Sequence, residues 1–279
     1  MYSKSSKKEM AYSFVKNNNY FQCPYCKNKL EVKDMTLRCV NNHSFDIGKK
    51  GEVFLVKTNG YKDSKIYDRN LFLHRREFIK NDFYKNVYET LANYLNERIN
   101  KDSLIIDLGC GEGIHSKKIQ DLLKFDNKLI GLDYSKSGIN LATDYISDKN
   151  FYIVADTNNI PLVDNSVDIV IDFLSPFNAI ELKRVMKKDG LVIKIAPGKN
   201  YLKEIKNKDY LNEKIVKDNI IKWFDIIDSF RVSDTYELND EQINDLINMT
   251  PMENDKLSND LSSISIDLNI YIMKIKHDI

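Results

Sequence analysis

Between residues 103 and 197 the chain repeats one pattern five times, a short apolar run that closes on small, polar or acidic residues. The runs are SLIIDLG, NKLIGLDYS, NFYIVAD, VDIVIDFLS and LVIKIAP. Amphipathic stretches GIHSKKIQDLLK, KSGINLATDYIS and FNAIELKRVMKK lie between most of them, while the third run reaches the fourth through a loop. Strands buried on both faces read as nearly continuous apolar runs, and helices between them make the crossovers of a parallel sheet. The predicted fold class is α/β, with a mostly parallel, doubly wound sheet. The tail predicts a strand (FRVSDTYEL), a helix (DEQINDLINM) and a last strand (LNIYIMKI). Upstream, Tyr84, Val87, Tyr88, Leu91, Tyr94, Leu95 and Ile99 recur at helical spacing, which predicts one helix running on from HRREFIKND.

The first run ends in IIDLGCGEG, residues 105–113. Asp107 closes the strand, and Gly109, Gly111 and Gly113 follow before the helix begins. Glycines in such a turn let the backbone fold tightly and approach a ligand without Cβ clashes. An ordinary strand–turn–helix or a dinucleotide site would use similar glycines. Here, however, the third glycine comes one residue too early for GxGxxG, and Asp107 and Glu112 are acidic. A pyrophosphate cradle would avoid carboxylates, whereas a cradle for a cationic amino acid would welcome them. Asp133 ends the next strand twenty residues past Gly113, placed to accept hydrogen bonds from ribose hydroxyls. Asp156 follows the third strand, where a carboxylate can meet an adenine amino group. Cys110 reads as a small filler of the turn, and His115 as a pocket wall or a surface residue. These residues resemble the class I S-adenosylmethionine-dependent methyltransferases.

The chain holds four cysteines, three of them in FQCPYCKNKLEVKDMTLRCVNNHSF. Cys23-x2-Cys26, twelve residues, then Cys39-x3-His43 is the ligand spacing of a closed, structural Cys3His zinc site. Scattered reduced thiols are the alternative. The segment is too small and polar to bury a core alone, so ligation would hold it folded. With Cys110 far off, the thiols offer no disulfide framework.

Charge is divided along the chain. Residues 1–80 carry 17 Lys and Arg against 8 Asp and Glu, while residues 81–279 carry 25 against 33. A basic end suits docking on phosphates, though drift in lysine usage would give the same numbers. No apolar run reaches the ~18–20 residues that span a bilayer, and the start lacks the apolar core of a secretory signal. A cytoplasmic protein with no membrane partner is expected. Four segments follow: a mobile basic leader over 1–20, a ribbon over 21–57, a linker and helix start over 58–82, and a catalytic domain over 83–279.

Taken together, CPYC…CVNNHSFDIGKKGEVFL, HRREFIKNDFYKNVYETL, DLGCGEG, LSPFNAIELKRVMKKDG, APGKNYLKEIK and MTP resemble one family from about residue 20 to the end. It is the zinc-binding guanine-N1 methyltransferases of large-subunit ribosomal RNA. The resemblance implies a Rossmann-like class I methyltransferase sheet behind a small N-terminal zinc-ribbon domain. It implies S-adenosylmethionine as cofactor, structural Zn2+, and a guanine in a 23S rRNA hairpin as target; a homodimer is the assembly it admits. By position, Cys23, Cys26, Cys39 and His43 are the zinc ligands, and Tyr84, Gly111 and Glu112 fall on cofactor contacts. Tyr201 stands where members of the family have a histidine at the cofactor, so contact carries over and proton handling does not. Asp172 stands where some members have arginine.

Neutral guanine N1 carries a proton, so methylation there needs an acceptor at the mouth of the pocket. Asp172, after the fourth strand, is the candidate for that base or for a group orienting the guanine, with a capping role as its rival; Glu181 falls inside the next helix. Phe173 and Phe177 are candidates to stack on a base splayed out of the hairpin, or else core. Arg75, Arg76 and Lys80 are candidates for RNA phosphates, or else a solvated face. The rival functions are a small-molecule methyltransferase and a non-catalytic RNA-binding factor that keeps the fold.

Overall fold

A computed structural model describes residues 6–205, 213–250 and 261–276. The chain opens with α1 (Lys7–Lys16), then three short antiparallel strands β1 (Glu31–Lys33), β2 (Thr36–Arg38) and β3 (Ser44–Asp46). After β4 (Val53–Phe54) come α2 (Arg69–Lys80) and α3 (Lys85–Asn96). The alternating part follows as β5 (Leu104–Leu108), α4 (Ile114–Gln120), β6 (Lys128–Asp133), α5 (Lys136–Ala142), β7 (Asn150–Val154), β8 (Val167–Phe173), α6 (Ala179–Val185) and β9 (Met186–Pro197). The chain closes with α7 (Glu213–Trp223), β10 (Phe224–Glu237), α8 (Asp240–Met249) and β11 (Ser263–Ile275).

The large sheet has the order β10-β11-β9-β8-β5-β6-β7-β4. Every neighbouring pair from β9 to β4 is parallel, and β11 runs antiparallel to both its neighbours. The chain winds outward from β5 through β6 to β7, then returns to lay β8 and β9 on the other side. That reversal opens a crevice at the carboxyl ends of β5 and β8, where open α/β sheets hold ligands.

Alternation along the strands sorts the core into two layers. Ile105 joins Val87, Tyr88 and Leu91 of α3, Ile114 and Ile119 of α4, and Ile139 of α5. Leu104, Ile106 and Leu108 face the other way, toward Phe14 of α1, Leu182 of α6 and Ile220 of α7. The short strands belong to this second layer, since Phe21, Leu30, Leu37, Phe45 and Ile47 pack with Phe151 and Leu162. The ribbon therefore shares a core with the sheet.

Three expectations are corrected. The leader is ordered over α1: Ser6 and Glu9 form a capping box, Ala11, Phe14 and Val15 are buried, and Phe14 stacks on Phe151 at 5.3 Å. Its S-x-x-E signature was legible in the sequence. The single helix expected through residue 99 is broken between α2 and α3, where the Asn81–Asp82 turn takes Asp82 to φ 61°. In the tail, α7 was not anticipated, and β9 begins at Met186 because Met186 pairs with Val167, which ends α6 early. Residues 1–5, Lys206 of APGKNYLKEIK and Pro251 of MTP lie outside the described residues. Among the described residues, no helix is long and apolar enough to cross a membrane.

Candidate cofactor pocket and metal centre

The pocket is built on the turn after β5. Gly109, Gly111 and Gly113 all take positive φ, at 67°, 54° and 78°. At Gly111 a Cβ would lie 3.0 Å from the Phe72 ring of α2, so this backbone excludes a side chain both by conformation and by space. Asp133 at the end of β6 holds the turn, its Oδ2 accepting from the Gly111 amide at 2.9 Å and its Oδ1 from the Ser135 amide at 2.7 Å.

Two carboxyls stand buried on this turn with unused acceptors. Ser116 donates to Asp107 Oδ2, while Asp107 Oδ1 and Glu112 Oε1 have no hydrogen-bond partner among the described residues. Burial pushes Asp107 up to about 7, against the pull of Ser116. Burial also lifts Glu112 to about 7, against the pull of Arg75. Orphaned buried acceptors of this kind fit a cationic ligand group.

Aromatic side chains cluster on the α3 side of the turn. The Tyr84 and Tyr201 hydroxyls lie 2.9 Å apart, both residues buried. Tyr88 shares a 2.7 Å hydrogen bond with His115 Nδ1, and the His115 ring stacks on Phe173 at 3.9 Å. Burial, and after it the Arg75 charge, holds His115 down to about 3, so the imidazole is neutral. His115 is half-buried in this aromatic cluster rather than on the open surface. Phe173 belongs to this cluster, whereas Phe177 lies in the other layer against Phe224 at 5.4 Å.

A cleft of about 410 Å³ is lined by Asp156, Tyr134, Tyr61, Lys57, Asn158 and Asn159, among others. Asp156 Oδ1 accepts from the Asn158 amide at 2.8 Å. Tyr61 and Tyr134 stand 4.9 Å apart, and the Tyr61 hydroxyl donates to the Tyr134 carbonyl at 3.0 Å. Tyr61 escaped the sequence reading, since a tyrosine in a polar linker carries no signal of what it will pack on.

Asp172 is corrected. It is 0% exposed, with Lys194 donating to Oδ2 at 2.9 Å and Ser175 donating to Oδ1 at 2.7 Å. The Ser175 amide also donates to Oδ1 at 3.1 Å, and the single Ser175 hydroxyl proton is shared between that carboxylate and the Leu108 carbonyl at 2.6 Å, which fastens the β8 turn to the end of β5. A carboxylate so enclosed and paired is a structural brace, not an open base. Asp172→Asn is expected to cost about 3 kcal/mol in urea unfolding, because it leaves the buried Lys194 without its counter-charge. Methyl transfer per folded molecule should stay near the parent value. Glu181, inside α6 as expected, accepts from the Ile160 amide and pairs with Arg184.

The three basic residues of α2 separate. Arg76 is buried, donating to the Glu112 and Leu141 carbonyls at 3.1 and 2.8 Å and pairing with Asp144 at 2.9 Å. It pins α2 to the glycine turn and is withdrawn from RNA. Lys80 pairs with Glu77 on the surface at 2.7 Å. Arg75 is half-buried, its guanidinium 5.3 Å from the Phe72 ring and 5.9 Å from Tyr67, on the pocket side.

The four predicted metal ligands converge. One ligand atom from each of Cys23, Cys26, Cys39 and His43 lies within 4.8 Å of all the others. Cys26 and Cys39 sulfurs are 3.6 Å apart, and His43 Nδ1 is 3.4 Å from both Cys23 and Cys39 sulfurs. A tetrahedron with ~2.3 Å metal–sulfur bonds has edges of about 3.8 Å, so the donor set fits zinc. Asn28 donates to Cys26 Sγ at 3.4 Å and lowers that thiol to about 6, while burial raises Cys23 to about 11. Tyr25 stacks on His43 at 5.0 Å. The knuckle also touches the pocket: Asn159 donates to the Pro24 carbonyl at 3.0 Å, Lys27 donates to Asn159, and Lys27 lies 3.9 Å from Glu181.

Comparison with known proteins adds a family. A family model described as a methyltransferase domain matches residues 99–244, and one described as the RlmA N-terminal zinc ribbon matches residues 21–65. The Bacillus subtilis protein YxjB, provisionally named a 23S rRNA (guanine-N1)-methyltransferase, is 31% identical over 194 residues, 67% of each chain. The 23S rRNA (guanine(748)-N1)-methyltransferase of Streptomyces fradiae is 24% identical over 188 residues. That alignment takes in 67% of this chain and 66% of the relative. Among solved structures, Bacillus subtilis YcgJ aligns with a TM-score of 0.45 at 16% identity, over 69% of this chain and 99% of that one.

Proposed function

The chain belongs to the methyltransferase-domain family, and from that premise we propose that it transfers the methyl group of S-adenosylmethionine to N1 of a guanine in 23S ribosomal RNA. The observation that carries this reading is the joining of an RlmA-type zinc ribbon to a methyltransferase domain in one chain, with the ribbon braced on the pocket's own loop. A small-molecule methyltransferase would have no use for the ribbon.

S-adenosylmethionine, when bound, would supply a sulfonium methyl group that passes to guanine N1, with S-adenosylhomocysteine as the neutral leaving thioether and the N1 proton released to solvent. Asp107 and Glu112 would take the donor's amino group, Asp133 the ribose hydroxyls and Asp156 the adenine amino group, in the order in which these acids line the strand ends. Tyr84, Tyr201, His115 and Phe173 would wall the transfer site and exclude water, so that positioning supplies most of the acceleration. The zinc ion would cross-link Cys23, Cys26, Cys39 and His43 and hold the ribbon against the RNA. The reading extends to a guanine in a hairpin loop, to the cytoplasm as the place of action and to a homodimer. Sedimentation at twice the chain mass would support the last of these.

Primer extension along 23S rRNA from a deletion strain and its parent tests the proposal. An N1 methyl blocks base pairing, so the parent should show one strong stop that the deletion loses and the restored gene regains. Identical stops in both strains would overturn the reading.

A further inference from the structure

The methyl-donor reading leaves one charge near the glycine turn without a task. Arg75 makes no hydrogen bond and no ion pair to another described residue, although three carboxyls, Asp107, Glu112 and Asp133, line the same turn. Its neighbour Arg76 has spent its fork on the Glu112 and Leu141 carbonyls and on Asp144, which fixes α2 across the turn. Successive helical residues diverge by about 100°, so Arg75 leaves the helix in a different direction. Its guanidinium rests beside the Phe72 and Tyr67 rings, and one terminal nitrogen is 3.6 Å from where a Cβ on Gly111 would stand. The same charge is felt at Tyr84, Glu112, His115, Asp133 and Tyr201, groups from four different segments of the chain.

We propose that Arg75 anchors the carboxylate of the methionyl group of S-adenosylmethionine. An amino-acid headgroup is a zwitterion, and the turn offers both halves of its complement. Asp107 Oδ1 and Glu112 Oε1 are buried acceptors in need of a cationic donor, and Arg75 is a planar donor in need of an anion. The aromatic faces hold the guanidinium in one plane, as two-point recognition of a carboxylate requires. An RNA phosphate is the poorer occupant, because Arg75 is half-buried over the turn with Glu112 and Asp133 close enough to repel a second polyanion. The assignment rests on the methyl-donor reading and adds a residue that selects for the intact amino-acid end of the donor.

Calorimetric titration of the zinc-loaded protein with two ligands tests it. One is S-adenosylhomocysteine; the other is its decarboxylated analogue, which keeps the amine and lacks the carboxylate. The parent should prefer the first by roughly 10- to 100-fold, the usual worth of a charge-assisted pair. Arg75→Ala should lose that preference by weakening S-adenosylhomocysteine alone, and Arg75→Lys should recover part of it. Equal weakening of both ligands would overturn the assignment in favour of a packing role. Unchanged ligand affinities with weaker binding of a 23S rRNA hairpin would overturn it in favour of a phosphate contact. Failure of the parent to bind S-adenosylhomocysteine would overturn the methyl-donor reading itself, and this inference with it.

Discussion

Cys39→Ser is expected to abolish stoichiometric zinc and to release residues 23–46 from protection while the parallel sheet stays folded. The four ligands hold three strands of three residues each, a ladder too short to stand by itself. Structural zinc contributes an apparent ~10–16 kcal/mol in isolated zinc modules, so a lost ligand removes more than any single core contact here supplies. The loss should stop at the shared core, where Phe21 packs on Phe151 at 5.5 Å and Val53–Phe54 pairs with β7. Hydrogen exchange followed by mass spectrometry checks this, with peptides from β1 to β3 exchanging fast and those from β5 and β6 unchanged. Because Pro24 and Lys27 hold Asn159, the loop at Asp156 should also exchange faster. Loss of protection across the whole sheet would mean that the ribbon supports the fold rather than leaning on it.

Affinity for S-adenosylmethionine should fall by on the order of 1000-fold between pH 8 and pH 5.5. Asp107 and Glu112 are each raised to about 7, so at pH 5.5 each is only about 3% ionised, and a cationic ligand group needs both charges. Binding should release protons, seen as a calorimetric heat that changes with the buffer's ionisation enthalpy. Glu112→Gln should weaken binding by about 100-fold at pH 8 and remove one of the two steps. The ligand-free protein should run the opposite way. A carboxyl raised in the folded state binds more protons there than when unfolded, so stability falls as pH rises from about 4 toward about 7. Thermal unfolding with and without ligand should therefore diverge most at pH 8.

The metal centre and the acidic strand ends were legible because each is written within a few residues. Cys-x2-Cys and Cys-x3-His bring ligands together through tight turns, and IIDLGCGEG forces a turn at the end of a strand whatever surrounds it. Side-chain assignments that depend on a distant partner were not legible. Asp172 looked like an open base because Lys194, its cross-strand neighbour in β9, lies 22 positions on and reads as one more lysine in an apolar run. Arg75 and Arg76 looked alike as adjacent cations. Helical geometry sends one into carbonyls and the other toward the pocket.

What the sequence determined alone was the α/β class, the positions of the five central strands, the glycine turn and the grouping of Cys23, Cys26, Cys39 and His43, since local periodicity and spacing fix these. Only the tertiary structure decided that the leader packs as a helix, that the ribbon shares its core with the sheet, and which cation meets the pocket. The reason is sequence distance. The Phe14–Phe151, Pro24–Asn159 and Tyr84–Tyr201 contacts join segments more than 100 residues apart, and no local pattern records which of them the crossovers will bring together.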